Sequence, residues 1–409
     1  MKDTSFYDQI LGLGKPWYVD RVKLDVEAQR VDLWLDHHGG TRWSCPECGA
    51  SCGIYDHSEE RSWRHLDTCQ FKTLMHARIP RVKCEQCGVR QVQVSWADPK
   101  SRFTLLMEGL IVEVLEQTRS VKAACELTRI HWDSCMRVMR RAVERGQQRK
   151  EQSVVKYLAV DEKAFRRGHS YLTIVCNASE GTVEWVTEDR DRQSLASYYQ
   201  QLSEEQLKGI EAVAMDMWPA YISATVGELP GASDKIVFDR FHVMKMMNKA
   251  LDKVRRQEAE RLRRRGDPRL KKTRHLWLFG YENLPEERVE DFEVLRESEL
   301  HTARAWHIKE TLRYLWDYRR IGWARKFFRQ WYAWAIRSRL EPIRKVAKSL
   351  KAHAHNILTY CKHRITTGVA EGINSKIMSI KRLAGGFRNM ENFKTAIYFY
   401  CGGLDLHPR

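Results

Sequence analysis

Two cysteine pairs of the same form, Cys45-Pro-Glu-Cys48-Gly49 and Cys84-Glu-Gln-Cys87-Gly88, constrain this chain more than any other feature. A glycine follows each pair, and glycine accepts the positive backbone dihedral needed where a chain curls round a metal-bound sulfur. Four thiolates complete a tetrahedral Zn²⁺ site and leave no open position, so such a site is structural rather than catalytic. The spacing therefore predicts one structural Zn²⁺ held by Cys45, Cys48, Cys84 and Cys87. A redox pair is the competing reading, but redox Cys-x-x-Cys motifs occur once, beside a βαβ pattern. Cys52, Cys69, His57, His65 and His76 lie nearby as alternative ligands or as ordinary packing and surface residues. Alternation from Trp17 to Leu35 predicts a preceding hairpin, although its turn, Ala28-Gln29-Arg30, lacks the favoured residues. A strand-like run, Phe71 to Val82, separates the two pairs.

With 409 residues the chain is long enough for two or three domains. A formal net charge of +17 favours a polyanionic partner, for which nucleic acid is the usual candidate, over an inert basic surface. No apolar run is long enough to cross a bilayer. Residues Met1 to Tyr7 lack the apolar core of a signal peptide. The eleven cysteines, four of them grouped as metal ligands, do not form a disulfide framework, so a reducing cytoplasm is expected.

From Phe103 to Arg145 the spacing becomes helical. Leu106, Leu110, Val114 and Leu115 form the expected inward stripe of a first helix. Ser120 caps a second helix running to Leu127, and Thr128-Arg-Ile130 forms a turn. A third helix starts at His131-Trp-Asp133-Ser and carries Arg137, Arg140, Arg141 and Arg145. A short helix, a tight turn and a basic third helix make a helix-turn-helix pattern, with Arg137, Arg140 and Arg141 as candidate DNA contacts. A plain linking bundle is the other reading.

After a polar seam (Gln147 to Ser153), Lys156-Tyr-Leu-Ala-Val-Asp161 reads as a buried strand stopping on a carboxylate. Glu211-Ala-Val-Ala-Met-Asp216 repeats the device. Two such strands side by side would hold Asp161 and Asp216 close together. Like charges at that range disfavour joint ionisation unless a cation lies between them, and Mg²⁺ takes oxygen ligands of this kind. Ser170 to Cys176 and Thr182 to Val186 are further strands, and Ser194 to Leu207 is a helix. Another helix starts near Pro219, and Lys235 to Phe238 is a fifth strand. A three-strand meander followed by alternating helix and strand is an α/β layered domain, in an order that fits a ribonuclease-H-like fold.

From Phe241 to about Leu358 strand signals vanish. Trp323, Phe327, Trp331 and Trp334 form one expected core stripe, and Ile343, Val346, Leu350, Ala354 and Ile357 another. Arg255, Arg256, Arg261, Arg263, Arg264, Arg265, Lys271 and Lys272 form a basic face, either along DNA phosphates or simply solvated. A last amphipathic helix from Thr366 turns Val369, Ile373, Ile377 and Ile380 inward. Glu371, Asn374 and Ser375 share an adjoining polar face, extended by Lys376, Lys381 and Arg382, and Gly385-Gly386 ends it.

Taken together these segments resemble the ISL-three family of bacterial insertion-sequence transposases, of the Asp-Asp-Glu type. The resemblance rests on the cysteine pairs, the helix-turn-helix, Val160-Asp161-Glu-Lys, Met215-Asp216-Met-Trp-Pro-Ala-Tyr221, Phe238-Asp239-Arg-Phe-His242-Val and Gly368-Val-Ala-Glu371-Gly-Ile-Asn374-Ser. It implies that Asp161, Asp216 and Glu371 bind two Mg²⁺ (or Mn²⁺) ions, with Asp239, His242 and Asn374 as neighbours of the site. It also implies that a helical insertion interrupts the ribonuclease-H-like core. Asp239-Arg-Phe-His242 is similar to an Asp/Cys-x-x-His element of related transposases. From the residues themselves, strand ends select Asp161 and Asp216, whereas spacing merely allows Glu371. Glu162, Asp189, Asp191 and Asp239 remain rival carboxylates.

The expected architecture is a zinc-ribbon domain with its preceding hairpin at 1–100 and a helix-turn-helix domain at 101–152. A ribonuclease-H-like catalytic core follows at 153–240 and 359–409, interrupted by a helical insertion at 241–358. The implied activity is binding of double-stranded DNA at terminal inverted repeats, metal-dependent hydrolysis at the ends, and joining of 3′-hydroxyls to target DNA. The enzyme would act as a homodimer or larger assembly. The rivals are a non-catalytic DNA-binding regulator and a structure-specific nuclease of the same fold.

Overall fold

The alternation that begins at Trp17 builds the first sheet of a computed structural model that describes residues 3–151, 153–166 and 170–409. Strands β1 (Trp17–Asp25) and β2 (Arg30–His37) form the hairpin. Its turn works without glycine because Asp25 Oδ1 accepts the Ala28 N–H at 2.9 Å and Gln29 takes the left-handed region, φ 48°. Short strands β3 (Trp43–Ser44) and β4 (Ser51–Cys52) flank the first cysteine pair. Strands β5 (Ile54–Arg64), β6 (Lys72–Cys84) and β7 (Gly88–Gln91) complete a sheet in the order β1-β2-β6-β5, with β7 also on β6. β5 has no clear sequence signal. Its residues Asp56 to Arg61 are polar or charged and its face is mostly solvated, so the usual alternation is absent.

Two compact units emerge from the chain, one comprising Met1–Lys150, Ile380–Tyr400 and Leu404–Arg409, the other Glu151–Ser379 and Cys401–Gly403. In the first, three helices follow the sheet: Leu105–Thr118, Val121–Thr128 and Trp132–Arg149. Thr104 and Ser120 cap the first two, and Arg119 and Arg129 end them in the left-handed region. Of the expected stripe the first helix buries Leu115 and half-buries Val114. Leu106 and Leu110 are exposed, and Met107, Ile111, Val112 and Leu115 face the core.

Glu108 on this inward face is fully buried. It accepts from Ser101 Oγ at 2.6 Å and Arg145 Nη2 at 3.1 Å, and it contacts Arg141 Nη2 closely. Removing one member of a buried, hydrogen-bonded ion group leaves the others uncompensated, at a cost of about 3–5 kcal/mol. Glu108→Ala should destabilise this unit by about 3 kcal/mol, the low end of that range because both guanidiniums reach solvent. A shift of its urea midpoint at constant slope checks this, and an unchanged midpoint refutes it.

The second unit carries β8 (Tyr157–Arg166), β9 (Ser170–Asn177), β10 (Thr182–Glu188), β11 (Ala212–Met215) and β12 (Ile236–Phe238). They form a mixed sheet in the order β10-β9-β8-β11-β12. β8, β9 and β10 are an antiparallel meander, and β11 runs parallel to both β8 and β12. This is the ribonuclease-H-like arrangement expected from the order of elements. The predicted helix at 194–207 is two helices, Arg192–Gln200 and Glu204–Gly209, because Ser203 starts a new capping box with Gln206.

Beyond β12 the described chain is helical through Cys401. The core of this region differs in detail from the expected stripes. On the helix Ile321–Arg337, Ala324, Phe328, Trp331 and Ala335 are buried, whereas Trp323 and Trp334 are exposed. Ile343, Leu350 and Ile357 are buried as expected. Two buried charges are fully engaged. Glu258 accepts from His301 N, Thr302 N and Thr302 Oγ1, and Lys309 Nζ donates to the carbonyls of Trp277 and Phe279. Among the described residues, no helix is long and apolar enough to cross a membrane.

Candidate metal centre, DNA-binding helices and carboxylate site

The four predicted thiols meet. The Sγ atoms of Cys45, Cys48, Cys84 and Cys87 all lie within 4.8 Å of one another, with Cys48 and Cys84 at 3.5 Å. Tetrahedral Zn–S bonds of about 2.3 Å require sulfurs roughly 3.8 Å apart, so the group fits Zn²⁺. Each pair sits in a tight turn closed by its glycine, Gly49 at φ 76° and Gly88 at φ 73°. The N–H groups of Cys87 and Gln86 point at the Cys84 sulfur and pull its pKa down to about 6, favouring the thiolate a metal needs. The alternative ligands are otherwise engaged. Cys52 Sγ bonds the Ala50 carbonyl, His57 pairs with His37, His65 with Thr104, and His76 with Asp32; Cys69 is exposed.

On the third helix Arg137 and Arg140 are exposed, Arg137 bonding Ser134 Oγ and Arg140 bonding Asn392 Oδ1. Arg141, one of the candidate DNA contacts, departs from the expectation: with Arg145 it is tied to Glu108. Lys376 and Arg382 are exposed and Lys381 is half-buried.

Strand register sets out the carboxylates. β8 does not stop at Asp161 as expected but runs on to Arg166, paired only with β9 there, Asp161 opposite Ile174. Its parallel partner does stop. β11 pairs Ala212–Ala214 with Tyr157–Ala159 and ends at Met215, so Asp216 emerges level with Asp161. β12 pairs Met215 with Phe238 and also ends, which brings Asp239 level with Asp216. Three neighbouring strands thus present Asp161, Asp216 and Asp239 in one row.

His242, one turn into the helix Arg240–Arg263, faces two of the three: its Nδ1 lies 2.5 Å from Asp216 Oδ1 and 3.4 Å from Asp239 Oδ2. Burial works against a charged imidazole, but the two carboxylates outweigh it and push its pKa up to about 9. Asp239 is 2% exposed. It caps that helix by accepting the Phe241 and His242 N–H groups, and its other oxygen accepts the Thr367 N–H at 3.3 Å. Thr367 carried no sequence signal for this role.

The helix Gly368–Leu383 supplies the opposite wall. Asn374 Nδ2 donates to Asp161 Oδ2 at 2.5 Å, and Glu371 lies one turn earlier, half-buried. Burial foremost, together with the Asp216 charge, raises the Asp161 pKa to about 6, against the Glu162 N–H, the Asn374 amide and His242. Glu371 is not gathered with Asp161 and Asp216 to the closeness of the cysteine group.

The donor chemistry nevertheless suits a hard cation. Asn374 Oδ1, on the amide that docks on Asp161, is a buried oxygen without a hydrogen-bond donor. The rivals have other partners: Glu162 pairs with Arg190, Asp191 caps the helix Arg192–Gln200, and Asp189 takes a left-handed turn, φ 66°, after β10.

A thiolate ribbon, a helix-turn-helix and a ribonuclease-H-like sheet with carboxylates at its strand ends define a DNA-processing enzyme of the DDE class. The family models agree with each part. Residues 158–397 match the ISL3-type DDE transposase model, 92–143 match the "helix-turn-helix domain of transposase family ISL3", and 41–87 match the "zinc-finger of transposase IS204/IS1001/IS1096/IS1165". The chain is 30% identical over 353 residues to the transposase for insertion sequence element IS1001 of Bordetella parapertussis, covering 85% of this chain and 86% of that one. It is 25% identical over 418 residues to the transposase for insertion sequence element IS1557 of Mycobacterium tuberculosis, covering 95% and 93%. The chain belongs to the ISL3 family of transposases.

Proposed function

We propose that this transposase binds the terminal inverted repeats of its own insertion sequence, hydrolyses the phosphodiester at each end, and joins the freed 3′-hydroxyls to target DNA by transesterification. The observation that carries the reading is the row of carboxylates, Asp161 on β8 beside Asp216 at the end of β11, with a helix that docks Asn374 on Asp161 and bears Glu371 one turn away. Asp161, Asp216 and Glu371 are the residues that would hold two divalent cations, Mg²⁺ or Mn²⁺. When bound, such cations activate the attacking oxygen and neutralise charge on the departing one.

The chain's own groups supply position and charge. Asn374 orients Asp161, and His242 holds Asp216 against Asp239 while presenting positive charge near a scissile phosphate. Positioning and electrostatics dominate this chemistry, since phosphoryl transfer asks little covalent work of a protein. The ribbon and helix-turn-helix recognise the ends through Arg137 and Arg140, and Lys376, Lys381 and Arg382 follow the DNA backbone. The working divisions are 1–100, 101–152, 153–240 with 359–409, and the insertion 241–358. Two ends in inverted orientation call for at least a dimer.

The test is cleavage of duplex carrying the element's own ends with Mg²⁺, mapped to the nucleotide. Nicking at the repeat boundary and strand joining are expected; cleavage of branched junctions in preference to the ends, without joining, overturns the reading. Affinity for end DNA should fall with salt at a slope of about −0.9 per phosphate contacted. A flat response in a binding titration would refute the role given to the basic residues.

A further inference from the structure

The segment at 384–389 begins directly after the helix that carries Glu371 and turns sharply through Gly385 (φ 64°) and Gly386 (φ 97°). It lies within the same compact unit as the helix-turn-helix. Together with the starts of the second and third helices of that motif it encloses a cavity of about 450 Å³. Trp132, the first residue of the third helix, opens onto this cavity and is 44% exposed. Phe387 anchors the segment by packing on buried Phe393, ring centroids 5.0 Å apart. Lys122, Arg388, Asn389 and Asn392 complete the polar lining, and no lining residue is acidic. Glu126 stands outside it, 3.9 Å from Lys122 in an exposed pair. On the rim, Arg140 Nη2 donates to Asn392 Oδ1 at 3.2 Å, linking the third helix to the helix Met390–Cys401.

An exposed indole, two side-chain amides and two cations around one concavity is the chemistry that recognises a nucleotide. The aromatic face takes a base or sugar and the cations take phosphate, while the amides serve base edges through Nδ2, since Asn389 Oδ1 accepts the Glu391 N–H at 2.8 Å and Asn392 Oδ1 accepts from Arg140. A buried apolar contact between helices would need neither the charges nor the exposure of Trp132. We propose that residues 384–389 are a second DNA-contacting element, and that with Trp132 and Lys122 they hold one nucleotide of the bound end DNA beside the third helix. This rests on the reading that the unit binds end DNA, and it adds a contact outside the helix-turn-helix itself.

The experiment compares full-length, zinc-loaded protein with its Trp132→Ala, Trp132→Phe and Arg388→Ala variants on duplex bearing the element's own ends, titrated at several salt concentrations. Trp132→Ala should weaken end binding about 5- to 150-fold, the loss expected for one stacked base, with the salt slope unchanged. Trp132→Phe should recover most of that loss. Arg388→Ala should reduce the salt slope by about 1.

Zinc content and the thermal transition of each variant separate a lost contact from a lost fold. If the parent binds its ends and both alanine variants bind with parental affinity and slope, the proposal is overturned while end recognition stands. If Arg137→Ala and Arg140→Ala also leave binding intact, or the parent does not prefer its own ends, it is end recognition by this unit that fails. Equal weakening by Trp132→Phe and Trp132→Ala overturns the stacking role.

Discussion

Asp161→Asn, Asp216→Asn and Glu371→Gln should each leave end-DNA binding intact and lower strand cleavage by at least about 10²–10³-fold, the loss seen when one preorganised group is taken from a transition state. Each substitution keeps shape and removes a negative charge that a divalent cation would need. The fold should tolerate them. Burying an ionised carboxylate costs free energy unless it is compensated, and Asp161 is compensated by the Glu162 N–H, the Asn374 amide and the charge of His242. An amide at 161 can still accept the Asn374 Nδ2–H. The parent should also gain thermal stability on adding Mg²⁺ or Mn²⁺, because ligand that binds only the folded state shifts the equilibrium. In the variants that gain should shrink or vanish. Near-parental cleavage by any one variant removes that residue from the set. The stringent case is Glu371, because Asp161, Asp216 and Glu371 do not form a group as close as that of the cysteines.

The sequence exposed some of this site and hid the rest for physical reasons. Asp216 is legible because a buried strand that ends on a charge marks where a core stops; the same pattern singled out Asp161, although β8 runs past it to Arg166. Asp239 was one rival among several, because its place in the row depends on the parallel pairing of β12 with β11, a register no local pattern encodes. Asn374 reads as one more polar residue on a helix until the fold brings it 213 residues back to Asp161. Arg141 failed in the opposite direction. A basic helix face looks like a DNA surface unless its partner is known, and Glu108 sits 33 residues earlier on another helix. The misplaced stripe on the helix Ile321–Arg337 has a packing cause. Where apolar residues occupy adjacent helical rows, the larger ones suggest the core, yet close helix packing selects small residues such as Ala324 and Ala335 and leaves Trp323 and Trp334 outside.

The second large effect is expected at the cysteine centre, where metal affinity and folding are one quantity. Structural Zn²⁺ contributes on the order of 10–16 kcal/mol in small zinc modules. Here it would tie the segment of the first cysteine pair, which has little else to hold it, to the end of β6 at Cys84. β3 and β4 are two residues each, far below what an isolated hairpin needs. The native protein should therefore carry one zinc per chain, and Cys45→Ser or Cys84→Ser should drop it well below that. Trp43 reports the consequence, since it is 8% exposed and packs against Trp17 at 5.4 Å, so loss of metal should shift tryptophan emission to the red. Cys52→Ser is the discriminating control. Its sulfur is buried beside the centre, near Cys84, but lies outside the group of four, so zinc stoichiometry should stay at one. Zinc lost from Cys52→Ser but kept in Cys48→Ser would mean that the tetrad is misassigned. Zinc lost from Cys45→Ser and Cys84→Ser with tryptophan emission unchanged would mean that this ribbon folds on its strands alone.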